Sequence, residues 1–178
     1  MYENTYPSKR FQRTLSFLKK HISTDETILD LGIENPFTKI MAADGYQVEN
    51  TKGEDLDLNF TSIKNSNAEV ATAFEIFEHL VSPLNALSAL KTTKLVASIP
   101  LRLWFSPAYR SKTDPWDRHY HEFEDWQFDW LLEKSGWEIK DRDKWTNPVK
   151  KIGLRPLLRN FVPRYYIVYA ERKTEIPK

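Results

Sequence analysis

The chain has 178 residues, of which 40% are hydrophobic, 29% charged and 13% aromatic, and its formal charge is +1. A chain of this length can bury one sizeable core, so a single domain over residues 1–178 is the expectation. The near-neutral charge excludes a global attraction to nucleic acid or membranes, and any basic surface must be local. Because cysteine is absent, disulfides and thiolate chemistry are excluded.

The N-terminal stretch MYENTYPSKRFQRTL lacks the apolar core of a secretion signal, and no apolar run is long enough to span a bilayer. A soluble cytoplasmic protein is therefore the expectation. The first predicted element is a helix over about residues 8–22, capped by Ser8. Its apolar face is formed by Phe11, Leu15, Leu18 and Ile22.

The run TILDLG predicts a short buried strand directly after this helix. Asn35-Pro36 then predicts a helix start, because Asn caps well and Pro suits the first helical turn. That helix should end at Asp44-Gly45. Further strands are predicted in YQVENT, EDLDL, EVATAF and KLVASIP, with a helix over about residues 82–92 before the last of them.

A long loop over residues 101–123 precedes the helical stretch EDWQFDWLLEKSG, in which Trp126, Trp130 and Leu131 are predicted to face inward. WEIKDRDKW and RYYIVYAER predict closing strands, separated by a basic segment at about 147–164. Strands alternating with helices predict a doubly wound, mainly parallel α/β sheet of seven strands flanked by helices. Ligands bind such sheets beyond the carboxyl ends of the strands.

Three stretches, ILDLG, AEVATAFEIFEHLVSPLNALSALKTTKLVASIP and RHYHEFEDWQFDWLLEKSGWEI, resemble in this order the class I S-adenosylmethionine (SAM)-dependent methyltransferases, in particular their type 11, 12 and 23 groups. The resemblance covers roughly residues 10–145. It implies a Rossmann-like fold, SAM as the methyl donor, and Gly32 against the methionine part of SAM. It also implies that Asp30 orders the loop or binds the amino group, that Asp57 lies on the adenine side, and that Phe74 is a further cofactor contact.

The first motif diverges from this family, because Glu34 and Pro36 occupy two positions where glycine is usual. Glycine is used there because it reaches positive φ and lets the backbone approach a ligand closely. Lys52 stands where an acidic residue usually binds the ribose, with Glu49 and Glu54 as displaced substitutes. Glu34 offers a second negative charge toward the SAM ammonium. The alternative is a strand-to-helix turn that binds no cofactor.

Glu75, Glu78 and His79 follow a predicted strand end at spacings that place them on one face of a helical turn. Carboxylates so close together repel each other unless a cation or a proton lies between them. The group predicts either a divalent-ion site, completed by His119 or His121, or a His79 base assisted by Glu78. In the resemblance the ion is Mg²⁺. The alternative is a pair that ties the loop to the helix.

Aromatic residues in the long loop predict either the walls of an apolar acceptor pocket or a lid on the core: Trp104, Phe105, Tyr109, Trp116 and Tyr120. Cations lie between these aromatic residues and are also compatible with an anionic or RNA acceptor: Arg102, Arg110, Lys112 and Arg118. The later stretch KKIGLRPLLRNFVPR either lies on a membrane surface or packs its apolar residues on the sheet.

Together these features predict a SAM-dependent methyltransferase acting on an oxygen of a small or lipid-linked acceptor, with at most peripheral membrane contact. One alternative is a non-catalytic binding module that keeps the fold after losing its cofactor. The other is a magnesium-dependent RNA 2′-O-methyltransferase. The oligomeric state is left open by the sequence.

Overall fold

The computed structural model describes residues 8–149 and 151–173. Within these residues, α-helices lie at Ser8–His21 (α1), Pro36–Ala43 (α2), Thr61–Asn65 (α3), Pro83–Ala89 (α4), Asp125–Lys134 (α5) and Leu154–Leu158 (α6). Strands lie at Thr27–Asp30 (β1), Gln47–Asn50 (β2), Val70–Phe74 (β3), Lys94–Pro100 (β4), Trp137–Thr146 (β5) and Pro163–Arg172 (β6). Short 3-10 turns lie at Phe77–His79 and Pro115–Asp117.

The strands form one sheet in the order β2-β1-β3-β4-β6-β5. Strands β2, β1, β3 and β4 are parallel to their neighbours, and β6 is antiparallel to both β4 and β5. The predicted mainly parallel α/β sheet is confirmed. The strand order changes direction at β1, which lies between β2 and β3, so the carboxyl ends of β1 and β3 border the crevice where such sheets bind ligands.

The predicted count of seven strands is wrong, because the part of the chain that the structure describes forms six. The stretch EDLDL is a turn instead of a strand. The Asp55 carboxylate accepts a hydrogen bond from the Asp57 N–H at 2.9 Å, and the Asp55 carbonyl accepts from Leu58 and Asn59. Such local aspartate bonds compete with strand pairing. Leu58 is 81% exposed and has no place in the core.

Apolar residues fill both faces of the sheet, because successive side chains along a strand point in opposite directions. Ile28 packs with helices α1 and α2, whereas its neighbour Leu29 belongs to the layer that contains α4 and α5. The predicted first helix and its apolar face are confirmed, with Phe11, Leu18 and Ile22 buried. The Ser8 side chain, predicted as a cap, and Lys150 of the basic segment lie outside the described structure.

Helix α5 turns a different face inward from the one predicted. Phe128 and Leu132 are fully buried, with Leu131 beside them, whereas Trp126 is 47% and Trp130 65% exposed. Residues four apart share a helix face, so the two tryptophans lie together on the solvent side with ring centroids 4.8 Å apart. No helix among the described residues combines the length and apolarity needed to cross a bilayer.

Candidate active site

Asp30 ends strand β1 and is enclosed, with 2% of its surface exposed. Its carboxylate accepts hydrogen bonds from the Thr72 hydroxyl at 2.7 Å, the Thr38 hydroxyl at 3.2 Å and the Asn50 amide at 3.1 Å. Burial raises the pKa of Asp30 to about 6, although the three donors oppose this shift. The carboxylate therefore ties β1 to β2, β3 and α2, the loop-ordering arrangement that was one of its two predicted roles.

Gly32 takes a conformation that favours glycine, with φ of +112°. Its N–H donates to the Thr51 hydroxyl at 2.7 Å, and its carbonyl accepts from the Asn50 amide at 3.1 Å. A Cβ at this position would lie 3.4 Å from Cδ1 of Ile76. The turn is therefore held by internal hydrogen bonds and packs closely against the loop that follows β3.

Asn35-Pro36 begins helix α2 as predicted. The Asn35 side chain accepts hydrogen bonds from the N–H groups of Phe37 and Thr38, at 2.8 and 3.2 Å, and the Thr38 hydroxyl accepts from the Asn35 N–H. This reciprocal capping box explains why the position of the last glycine can be filled by proline. The Glu34 side chain before it is 64% exposed, and its carboxylate lies 3.6 Å from the Lys39 ammonium.

The acidic residues near the predicted ribose and adenine positions have internal partners. Glu54 accepts from the Lys52 N–H at 2.7 Å and the Ser62 N–H at 3.3 Å, and Glu49 accepts from the Ser66 hydroxyl. Asp57 accepts from the N–H groups of Val81 and Ser82, at 2.8 and 2.6 Å, at the start of α4. These bonds connect loops and helix ends, so each of the three carboxylates has a structural task.

Phe74 and Glu75 lie at the end of strand β3. The Phe74 ring meets the Phe37 ring edge-on, with centroids 5.1 Å apart. Glu75 has φ of +58°, which is uncommon for a residue other than glycine and recurs at functional sites. Its carboxylate accepts from the Ser98 hydroxyl at 3.0 Å and pairs with Arg10 at 3.3 Å. Burial raises the Glu75 pKa, although Arg10 opposes this shift.

The expectation that Glu75, Glu78 and His79 share one helical face is wrong, because Glu75 precedes a separate 3-10 turn over Phe77–His79. The structure instead brings Glu78 and His79 together with His119 from the long loop. One potential ligand atom of each residue lies within 4.8 Å of the others. This group is called the Glu-His cluster below. Glu75 and His121 are not part of it.

Two side-chain atoms of the Glu-His cluster are buried without a hydrogen-bond partner among the described residues, Glu78 Oε2 and His119 Nδ1. Leaving such atoms unpaired costs free energy, roughly 1–3 kcal/mol each. Burial, followed by repulsion from Glu75, raises the pKa of Glu78 well above its usual range. Burial and the neighbouring His79 lower the pKa of His119, which favours its neutral form.

His79 has a defined tautomer when it is neutral. Its Nδ1 lies 3.0 Å from the Arg118 carbonyl, and a carbonyl only accepts, so Nδ1 carries the proton. The lone pair of Nε2 is then directed into the cluster, 3.6 Å from Glu78 Oε1. A carbonyl-bound imidazole of this kind is the usual arrangement of a histidine that binds a metal or accepts a proton.

The long loop reaches the cluster through its backbone. The N–H groups of Tyr120 and His121 donate to the Glu78 carbonyl at 2.8 and 3.3 Å, which places His119 beside His79 with ring centroids 4.8 Å apart. The His121 ring lies elsewhere, with Nε2 3.2 Å from the Val81 carbonyl. Sequence reasoning missed Glu122, whose Oε1 lies 3.5 Å from His119 Nδ1. Its position three residues after His119 was the available signal.

The aromatic residues of the loop divide into two groups. Phe105 and Tyr109 line a cavity of about 310 Å³ between the loop and α6. Trp104, Trp116 and Tyr120 are 69%, 75% and 53% exposed, so they form no lid on the core. The cavity also borders Glu122, the neighbour of His119.

No protein-family model matches the chain, and no curated protein matches it in sequence. Solved structures do resemble its fold. A proposed SAM-dependent methyltransferase from Listeria monocytogenes superposes with a TM-score of 0.63 at 14% identity, over 92% of this chain and 98% of its own. The Haloferax volcanii complex of the Trm112 methyltransferase activator with a proposed methyltransferase gives 0.66 at 9% identity, over 96% and 93%.

A third similar structure is the N-terminal domain of EvdMO1 with S-adenosylhomocysteine (SAH) bound, at a TM-score of 0.55 and 14% identity, over 92% of this chain and 80% of that one. Identities this low support the fold and leave the chemistry to the residues themselves. The sheet order, the helices on both faces and these superpositions agree. The chain has the fold of the class I SAM-dependent methyltransferases.

Proposed function

We propose that this chain is a SAM-dependent methyltransferase that transfers a methyl group to an oxygen of a small or lipid-linked acceptor. The observation that carries the proposal is the Glu-His cluster, where the lone pair of His79 Nε2 lies 3.6 Å from a buried carboxylate. This cluster follows β3, next to the crevice where the fold binds its ligands. A base beside that crevice is suited to deprotonating an acceptor hydroxyl.

Among the residues after β1, Glu34 supports binding of the amino-acid end of SAM. The Glu34 carboxylate is largely exposed and only loosely paired with Lys39, so it remains accessible to an ammonium group. The ribose end fits less well, because Glu49 and Glu54 are engaged inside the protein. Other groups would have to hold the ribose hydroxyls. Bound SAM supplies a methyl group on a positively charged sulfur.

In the proposed step, His79 Nε2 takes the proton of the acceptor hydroxyl. The oxygen of that hydroxyl forms the new bond to the methyl carbon at the same time. The carbon–sulfur bond breaks, its electron pair stays on sulfur, and SAH is the second product. Glu78 Oε1, 3.6 Å from Nε2, would stabilise the positive charge that His79 gains with this proton. Removing the proton during attack lowers the barrier for a weakly acidic alcohol.

The same cluster supports a second proposal, that Glu78, His79 and His119 hold a divalent cation. The buried and unpartnered Glu78 Oε2 fits this role, and one potential ligand atom of each of the three residues lies within 4.8 Å of the others. Mg²⁺ prefers oxygen ligands, whereas two imidazoles and one carboxylate suit a transition metal such as Zn²⁺ or Mn²⁺. The donor set therefore argues against the Mg²⁺ implied by the sequence resemblance. A bound ion would lower the pKa of a coordinated hydroxyl.

The internal pairing of Glu49, Glu54 and Asp57 is the observation that favours the alternative, a binding module without a cofactor. The RNA 2′-O-methyltransferase alternative draws on the exposed Trp104 and Trp116 of the long loop. RNA binding through the neighbouring cations would weaken steeply with salt.

Calorimetric titration with SAM and SAH separates these proposals. We expect both to bind in the micromolar range, with Glu34→Gln weakening SAM and Glu133→Gln, on the exposed side of α5, leaving it unchanged. If neither compound binds at high micromolar concentration, the methyltransferase proposal is wrong and the binding module is favoured. His79→Gln should abolish methyl transfer while SAM still binds.

A further inference from the structure

The cavity between the long loop and α6 is strongly cationic. Four of its lining side chains are basic, namely Lys151, Arg155, Arg159 and Arg164. Glu122 is the acidic residue among those that line it, and its carboxylate already accepts from the Tyr109 N–H at 2.8 Å. We call this cavity, of about 310 Å³, the cationic pocket.

Three of the four cations in the cationic pocket have no carboxylate partner in the part of the chain that the structure describes. Among the described residues, Lys151, Arg155 and Arg159 make no ion pair with a carboxylate. The Nε of Arg159 is buried and has no hydrogen-bond partner in that part of the chain. Arg164 donates to the Leu101 carbonyl, and its positive charge also acts to lower the pKa values of Glu75 and Glu78. Gathering cations without an anion is unfavourable unless a ligand supplies the negative charge.

Guanidinium groups favour a particular kind of anion. Their planar N–H donors match the oxygens of phosphate, and several cations around one cavity suit a group that carries more than one oxygen and up to two negative charges. The volume of about 310 Å³ is at the low end of small-molecule sites and accommodates a phosphorylated headgroup.

The pocket borders the Glu-His cluster. Glu122 lines the pocket, and its Oε1 lies 3.5 Å from Nδ1 of His119. Tyr109 also lines the pocket, and its ring centroid lies 4.5 Å from that of His119. A molecule anchored by an anionic group in the pocket would therefore extend toward the proposed catalytic histidine.

The chain around α6 exposes apolar side chains instead of packing them on the sheet. Ile152 is 106%, Leu154 72%, Leu157 56% and Phe161 74% exposed. Of the two alternatives predicted for this segment, packing its apolar residues on the sheet is wrong for these four side chains. Exposed apolar side chains interleaved with Lys151, Arg155 and Arg159 match the surface of a bilayer that contains anionic lipid.

We propose that the cationic pocket binds the phosphate group of a lipid and that the apolar side chains around α6 contact the lipid's hydrocarbon. Under the proposed function, on which this step rests, that lipid carries the hydroxyl to be methylated. The phosphate would fix the headgroup in the pocket, and the hydroxyl would lie toward His79. The lipid interaction itself requires neither SAM nor catalysis.

Sedimentation with vesicles tests the proposal, using phosphatidylcholine alone or mixed with phosphatidic acid, and calorimetry with soluble glycerol phosphate provides the second measurement. We expect strong preference for the mixed vesicles. Arg155→Gln/Arg159→Gln should weaken that binding about 30-fold, the effect of two surface cations, and should weaken glycerol phosphate binding too. Leu154→Ser/Phe161→Ser should reduce vesicle binding and leave glycerol phosphate unaffected.

Lys134→Gln, which removes an exposed cation on α5 outside the pocket, is the matched control and should bind like the parent chain. If the double variant unfolds, Arg155→Gln alone replaces it in both measurements. Arg155 is exposed, so this single change should not disturb folding. Equal binding to both vesicle types, or charge variants that bind like the control, would refute the proposal. If glycerol phosphate binds but vesicles do not, the proposal of a lipid ligand is wrong, and the pocket is a site for a soluble phosphate compound. These readouts remain valid if SAM fails to bind, so the two proposals can fail separately.

Discussion

Replacing Asp30 by asparagine should change how the stability of this protein depends on pH. The Asp30 carboxyl is enclosed at the end of β1, and burial raises its pKa from 3.8 to about 6. In the unfolded chain the same group titrates near its ordinary value. The folded state therefore holds this proton more tightly than the unfolded state. The stability that the proton contributes is fully present below about pH 4 and is lost as the pH rises through 6.

The magnitude follows from the difference between the ordinary pKa of 3.8 and about 6 in the folded state, which corresponds to about 3 kcal/mol over the whole titration. Between pH 5 and 7.5 the parent chain should lose roughly half of this. The amide that replaces the carboxyl cannot ionise, and it can still bond to the hydroxyls of Thr38 and Thr72. Asp30→Asn should therefore lack this part of the pH dependence and gain stability relative to the parent as the pH rises.

Urea unfolding of both proteins at a series of pH values measures this difference directly. Other titrating groups, including Glu75 and Glu78, contribute to both curves and cancel in the comparison. Asp25→Asn, at an exposed position outside the sheet, is the control and should leave the pH dependence close to that of the parent. If the free energies of unfolding of Asp30→Asn and the parent run parallel from pH 5 to 7.5, the ionisation argument is wrong.

Three further predictions concern the turn and the cluster. Asn35→Ala should cost about 1 kcal/mol of unfolding free energy, whereas Asn35→Asp keeps the cap, as thermal unfolding would measure. Gly32→Ala should cost about 1–2 kcal/mol, because alanine disfavours positive φ; an unchanged unfolding midpoint would contradict this. Glu78→Gln should reduce the Zn²⁺ or Mn²⁺ bound after dialysis at least tenfold, whereas His121→Gln should bind as the parent does. Equal losses in both variants would exclude the Glu-His cluster as the metal site.

Sequence patterns predicted the elements whose cause is local. Asn35-Pro36 begins α2 because an Asn cap and an N-terminal Pro act within one turn. Strands β1, β3 and β4 were recognisable as apolar runs that both faces of the sheet bury. The EDLDL turn was missed because an aspartate can close a turn with its own side chain, and that competition depends on the conformation of neighbouring residues.

The details of the site depend on contacts between distant residues, and those could not be predicted. Asp30 could be singled out at the end of β1, but its three donors come from β2, β3 and α2. From the sequence, His119 and His121 were equally good candidates for completing the predicted ion site. The hydrogen bonds from Tyr120 and His121 to the Glu78 carbonyl set the position of the loop and bring only His119 to the cluster. Spacing alone contains no information about that register.

Two observations favour different functions: the internally paired acidic residues near the predicted ribose and adenine positions favour a binding module, and the Glu-His cluster favours an enzyme. They can be weighed by asking which of these side chains is needed for the structure itself. Glu49, Glu54 and Asp57 each stabilise a loop or helix end, so their presence needs no ligand. The unpaired Glu78 Oε2 has no such use and costs stability. A binding module relieved of catalysis would gain stability by replacing Glu78 with an apolar residue. The buried carboxyl group beside two imidazoles is therefore the observation that most favours the proposed enzyme over a binding module.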